Sequence, residues 1–162
     1  MNMRKFFVLF VMAAVSMSVK AQSTNPLRMG IGVNVGGTLK DPSRGVLGID
    51  GRLQAGFGNS LSGILTTGYY HYLKNDKAGD GFGIIPVKLG LKYFPAKNVY
   101  VAGEVGAGIG TKENQETSFV YSPSVGLAFG NGLDLSLKYE DYTKYKGYAS
   151  QLALRLAYGF KL

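Results

Sequence analysis

From Gln151 to Leu162 the sequence alternates without a break. Leu152, Leu154, Leu156, Tyr158, Phe160 and Leu162 are large and apolar. Gln151, Ala153, Arg155, Ala157, Gly159 and Lys161 are small or polar. A strand sends successive side chains to opposite faces, so this segment reads as a strand with one apolar face and one narrow, polar face. Few architectures accommodate such a strand, and nearly everything upstream repeats it.

Leu27 to Leu39 sets Leu27, Met29, Ile31, Val33 and Val35 against Arg28, Gly30, Gly32, Asn34 and Gly36. Leu47 to Phe57 sets Leu47, Ile49, Leu53 and Phe57 against Gly48, Asp50, Arg52 and Gln54. Leu61 to Tyr72 is less clean, with Leu61, Leu65 and Tyr69 on one face and Ser62, Ile64, Thr66 and Tyr70 on the other. Ile85 to Tyr93 opposes Ile84, Pro86, Lys88 and Lys92. The Val99–Ile109 set opposes Tyr100, Ala102 and Glu104. The Phe119–Phe129 set opposes Val120, Ser122 and Ser124. Leu133, Leu135, Leu137 and Tyr139 oppose Asp134, Ser136, Lys138 and Glu140. Asn131-Gly132 is the strongest short hairpin signal in the chain. No helical period interrupts the series after the first segment.

The expectation is eight strands of about ten to thirteen residues, boundaries being uncertain by a few positions. Connections after strands two, four and six are short, and the others are mostly longer and more charged. An up-and-down barrel of the outer membrane has short periplasmic turns and longer outer loops. An even strand count puts both ends of the folded segment on the periplasmic side.

Alternation alone does not say which face is wet. A soluble, lipocalin-like barrel would point the apolar set inward. An eight-stranded barrel, however, has an interior only just wide enough for side chains. Five or six large apolar residues per strand would overfill it, whereas Gly, Ala and Ser with a few charges fit. Glycine is also weak in a strand unless space demands it. Aromatic residues collect toward the strand ends. Phe57, Tyr93, Phe94, Tyr100, Phe129, Tyr158 and Phe160 lie toward the short turns, and Tyr69, Phe119, Tyr121, Tyr139 and Tyr142 toward the long loops. Such belts are expected at the two membrane interfaces. The fold class expected is therefore all-β, an antiparallel up-and-down transmembrane barrel of eight strands.

The chain begins differently. Arg4 and Lys5 precede an apolar run from Phe6 to Val15, and Val19-Lys20-Ala21 follows. This is the form of a secretory signal peptide, cleaved between Ala21 and Gln22. The run is shorter than the ~20 residues of a spanning helix. The expected division is a signal peptide at 1–21 and one barrel domain at 22–162. The chain has 162 residues, no Cys, and a formal charge of +8. Removing residues 1–21 leaves 15 basic and 10 acidic residues, scattered without a basic run, so nucleic acid is not an expected partner. The absence of Cys excludes disulfides and thiol chemistry.

The run Ile85-Pro86-Val87-Lys88-Leu89-Gly90-Leu91-Lys92-Tyr93-Phe94 is similar to a segment common in the outer-membrane β-barrel family of Bacteroidota, and the Lys20-Ala21-Gln22 junction suits that group. From Leu27 to Leu162 the chain resembles the small eight-stranded barrels of the OmpX and OmpA type. The resemblance implies outer-membrane residence, insertion by the barrel-assembly machinery, contact with membrane lipids and lipopolysaccharide, and a monomeric state. Such proteins usually end in an aromatic residue. Leu162 stands there instead, with Phe160 and Tyr158 at the alternating positions before it.

The inward set carries Arg28, Asp50, Arg52, Lys88, Lys92, Glu104, Asp134, Lys138, Glu140, Arg155 and Lys161. An unpaired buried charge is costly, so these groups are expected to pair and fill the lumen. The site residues singled out are Asp50, Arg52, Lys88, Glu104, Lys138 and Arg155. Glu104 is expected to pair with Lys88, and Asp50 or Arg52 to reach across the lumen. The alternative is a narrow, anion-preferring channel. His71, the sole histidine, is read with Tyr69, Tyr70 and Tyr72 as an interfacial polar ring. With no Ser following it, and Asp76 and Asp80 on a loop, an outer-leaflet lipid-modifying enzyme is a distant reading and no catalytic role is expected. No cofactor or metal site is expected either.

Overall fold

The computed structural model describes residues 27–162 apart from Ala78, Asn114 and Gly147. The expected signal peptide lies outside the described residues. Eight strands follow in order: β1 (Arg28–Thr38), β2 (Gly45–Gly56), β3 (Leu61–Tyr72), β4 (Phe82–Tyr93), β5 (Val99–Gly110), β6 (Ser118–Ala128), β7 (Leu133–Tyr142) and β8 (Gln151–Lys161). Each pairs antiparallel with the next, and β8 returns to β1, closing an up-and-down barrel. Closure runs from Arg28 opposite Lys161 to Thr38 opposite Gln151. Strands of this length, tilted, cross a bilayer core.

The connections alternate in length. Residues 57–60, 94–98 and 129–132 make the short turns at one end. Residues 39–44, 73–81, 111–117 and 143–150 make the longer loops at the other, the last opening with a 3-10 turn at Thr143–Tyr145. The Asn131-Gly132 hairpin forms where the sequence places it, with Asn131 in an ordinary backbone conformation. Phe129 accepts from the Gly132 amide (3.0 Å) and donates to Leu133 (2.8 Å), and Gly132 takes φ +97°. This is the three-residue turn in which a left-handed glycine makes a bulge. The Asn131 carboxamide oxygen also accepts from the Leu133 amide at 3.1 Å.

The apolar set faces outward on every strand, from Ile31, Val33 and Val35 on β1 to Leu152, Leu154 and Leu156 on β8. The buried residues are mainly polar, charged or aromatic. This is the inverse of a soluble domain, and it removes the lipocalin-like alternative.

The outward aromatic belts are smaller than the sequence reading made them. Phe57, Tyr93, Tyr158 and Phe160 are exposed toward the turns, and Tyr69, Phe119 and Tyr121 toward the loops. Tyr100 and Tyr142 are fully buried inside the barrel. Their strand parity, shared with Glu104 and Glu140, turns them inward. Close approach explains much of the inward glycine. A Cβ at Gly48 would lie 2.4 Å from the ring of Tyr70, its direct partner on β3. One at Gly126 would lie 2.6 Å from the ring of Tyr100, its partner on β5.

Candidate functional site

Among the described residues the lumen holds nine charged side chains from five strands: Asp50, Arg52, Lys88, Lys92, Glu104, Asp134, Lys138, Glu140 and Arg155. Period-two alternation brings each one inward, and the barrel's small radius brings strands that are not neighbours within side-chain reach.

Three clusters form around the carboxylates. Asp50 accepts both Nε (2.9 and 3.0 Å) and Nη2 (2.5 Å) of Arg155, the Asn34 amide at 2.7 Å and the Tyr70 hydroxyl at 3.3 Å. Glu140 accepts from Lys88, from the Tyr142 hydroxyl at 2.7 Å and from Gln151 at 3.0 Å, with Lys138 at 3.4 Å. Asp134 accepts from Lys92 at 2.6 Å and the Tyr100 hydroxyl at 2.7 Å, with Arg155 Nη1 at 3.5 Å. Lys138 donates to the Tyr70 hydroxyl at 2.5 Å, which joins the Glu140 and Asp50 clusters, and Arg155 joins Asp50 to Asp134. A continuous chain of charge-assisted contacts therefore runs along the lumen.

Arg52 and Glu104 make a fourth contact. Arg52 Nη2 donates to Glu104 at 3.0 Å, from β2 to β5, while its Nε donates to Thr66 at 3.0 Å. The expected Glu104–Lys88 pair is corrected here. The Lys88 ammonium meets Glu140 on β7 instead. Lys88 is laterally opposite Gly106, two residues beyond Glu104, whereas the narrow lumen lets its long side chain cross to β7. Asp50 and Arg52 both reach over the lumen wall, Asp50 to β8 and Arg52 to β5. All six residues singled out from the sequence lie inside. Arg28 is half-buried at the turn end, and Lys161 is exposed beyond it.

Sequence reasoning put Tyr70, Ile84, Tyr100 and Val120 on the inward face, where they lie, but missed that an aromatic cluster forms there. Tyr70, Tyr72, Ile84, Val46, Val120, Tyr142 and Ala149 pack together under the loops, with Phe82 and Tyr145 against them. Tyr72 and Phe82 stack at 4.5 Å between ring centroids. Lys138 sits 4.3 Å from the Tyr70 ring centroid and Lys92 3.8 Å from that of Tyr100. The parity of Tyr70, Tyr100 and Tyr142 with the charged set was the available signal.

The two ends differ. The loop end is closed by the aromatic cluster. The turn end opens into a vestibule of about 600 Å³ that reaches inward to Arg52, Lys92, Asp134 and Arg155. His71 belongs to neither. It is exposed on the outer face, its Nδ1 3.2 Å from the Tyr69 hydroxyl, while Tyr70 and Tyr72 are inside, so the expected four-residue ring does not form.

An outward apolar belt around a charged interior defines a transmembrane β-barrel. No protein-family model matches the sequence, and no curated protein matches it. Solved structures do match in fold. The outer membrane protein Ail of Yersinia pestis aligns with a TM-score of 0.58 at 15% identity, over 83% of this chain and 99% of Ail. The outer membrane enzyme PagL gives 0.57 at 17% identity, over 82% of this chain and 99% of PagL. A de novo designed transmembrane β-barrel gives 0.56 at 14% identity, over 83% and 97%. Identities this low carry the fold and no activity. They do correct one expectation. The sequence reading gave this barrel no catalytic role, yet an enzyme is built on the same fold, so the architecture does not exclude catalysis.

Proposed function

We propose that this chain is an integral outer-membrane barrel of the OmpX and OmpA kind, reached by a signal peptide at 1–21 that leaves residues 22–162. Its lumen is a structural plug, and its outer loops meet the surroundings, lipopolysaccharide included. The observation that carries this reading is the continuous network from Glu140 through Lys138, Tyr70, Asp50 and Arg155 to Asp134, with an aromatic seal above it. Every lumen carboxylate has a cationic partner, so water-filled space is replaced by paired side chains. The six residues Asp50, Arg52, Lys88, Glu104, Lys138 and Arg155 act in this reading as wall braces.

The second reading is a narrow channel for small ions, favoured by the turn-end vestibule, which already penetrates to the network. Single-channel recording on the refolded barrel in a planar bilayer separates the two. A silent bilayer, with folding confirmed by a heat-dependent gel shift, supports the plug. Steady, reproducible conductance steps overturn it in favour of the channel.

A further inference from the structure

Among the described residues five carboxylates lie in strands. Four of them, Asp50, Glu104, Asp134 and Glu140, face the lumen and meet cations there. Asp141 is the exception. It stands on β7 between Glu140 and Tyr142, both fully buried, so its parity turns it outward. It heads the outward column of Leu133, Leu135, Leu137 and Tyr139. None of the ion pairs among the described residues includes it. An ionisable group on the lipid side of a barrel wall is costly, and its retention there points to a function. This one is also held in place. It is half-buried, and the hydroxyl of Ser150, itself buried, donates to its Oδ1 from the β7–β8 loop. Tyr121 lies directly opposite on β6, and Tyr139 two residues earlier on the same face of β7. The two rings stand 6.0 Å apart between centroids, inclined at 49°. A carboxylate fixed from behind and flanked by two phenol rings is the chemistry of a cation site.

We propose that Asp141, Tyr121 and Tyr139 bind the ammonium headgroup of a membrane lipid, the carboxylate supplying the counter-charge and the ring faces the cation–π contacts. Charge selects the group. The carboxylate repels an anionic headgroup, and a neutral one leaves it unanswered. Cation–π attraction acts within about 6 Å of a ring centroid and strengthens where water is excluded. Height selects a lipid as the source. Below Asp141 the column of Leu133, Leu135 and Leu137 is exposed to acyl chains. Asp141 itself is one residue from the loop end of β7, at the level where those chains meet their headgroups. The site is on the outside of the wall, so it stands whether the lumen conducts or is plugged.

The test is an NMR titration of the folded barrel in non-ionic maltoside micelles with dihexanoylphosphoethanolamine, and separately with dihexanoylphosphoglycerol. The first carries an ammonium and the second does not. Saturable amide shifts centred on Tyr121, Tyr139 and Asp141 are expected with the first and not with the second. Asp141→Asn keeps an acceptor for the Ser150 hydroxyl and removes only the charge, so it should weaken binding at least tenfold. Glu116→Gln removes a carboxylate from the neighbouring loop and should leave binding unchanged. Should Asp141→Asn fail the gel-shift test of folding, Tyr121→Leu, which keeps an apolar outward side chain, serves instead and should weaken binding several-fold. Equal responses to the two lipids, or no saturable response to either, overturn the proposal. So does unchanged affinity in a folded Asp141→Asn or Tyr121→Leu variant, or a loss in Glu116→Gln as large as that in Asp141→Asn.

Discussion

Arg155 on β8 holds Asp50 on β2 by passing over β1, and Gly32 is what lets it pass. Gly32 lies between the two strands, opposite Asp50 on one side and Ala157 on the other. A Cβ there would stand 2.9 Å from the Arg155 guanidinium carbon and 3.0 Å from the Ala157 methyl. Gly32→Val should push the guanidinium away and strand both charges. Breaking a buried pair costs roughly 3–5 kcal/mol, so a loss of about 3 kcal/mol is expected. The urea midpoint of the heat-modifiable gel band measures it. Gly32→Val with a midpoint equal to the parent's would remove this pair from the stabilising network.

Glu140 should be the least replaceable carboxylate. It is fully buried and faces Lys88 and Lys138 together, besides the donors of Tyr142 and Gln151. Glu140→Gln leaves two ammonium groups with one anion fewer between them, and a loss of about 3–5 kcal/mol is expected. Adding Lys88→Met should restore part of it, because one unpaired cation goes as well. A double variant no better than Glu140→Gln would mean that Lys88 is satisfied elsewhere.

The strands, their order and the direction of almost every side chain were legible because alternation is a local property with a period of two. Partner choice was not. Glu104 and Lys88 are near neighbours in the lateral register, which made them a natural pair on paper. In three dimensions the lumen is narrow enough for Lys88 to reach β7 and Arg52 to reach β5. Those distances depend on barrel radius and stagger, which no single strand encodes. Tyr100 and Tyr142 were misread for another reason. Their place near strand ends suggested a membrane belt, whereas their parity turns them inward to Asp134 and Glu140. Position along a strand competed with parity, and parity decided.

Exposed charge pairs should contribute far less. Lys144 donates to Glu116 at 3.0 Å between two loops, but the side chains are 52% and 73% exposed. Pairs of this kind contribute about 0–1 kcal/mol, since water and salt screen them. Glu116→Gln should leave the urea midpoint within about 0.5 kcal/mol of the parent, and less difference still is expected in high salt. A loss comparable to that of Glu140→Gln would show the loops to be far more rigidly coupled than their exposure implies.

Which face meets lipid is decided by a single outward position. Leu156 lies in the middle of β8, opposite Val33 on β1 and Leu135 on β7, and all three are exposed. In water an Arg at such a site would be an ordinary surface residue. In a bilayer the same change costs about 2–4 kcal/mol near the midplane and about 0–1 near the interface. Leu156→Arg should therefore lower folding stability in lipid vesicles by about 2–4 kcal/mol, as read from urea titration of the folded band. Asn98→Arg, in the β4–β5 turn, should change it by under about 1 kcal/mol. The contrast between the two positions carries the test, because it controls for any general intolerance of added charge. Equal, small effects at both would place the apolar face outside the hydrocarbon and overturn the membrane assignment.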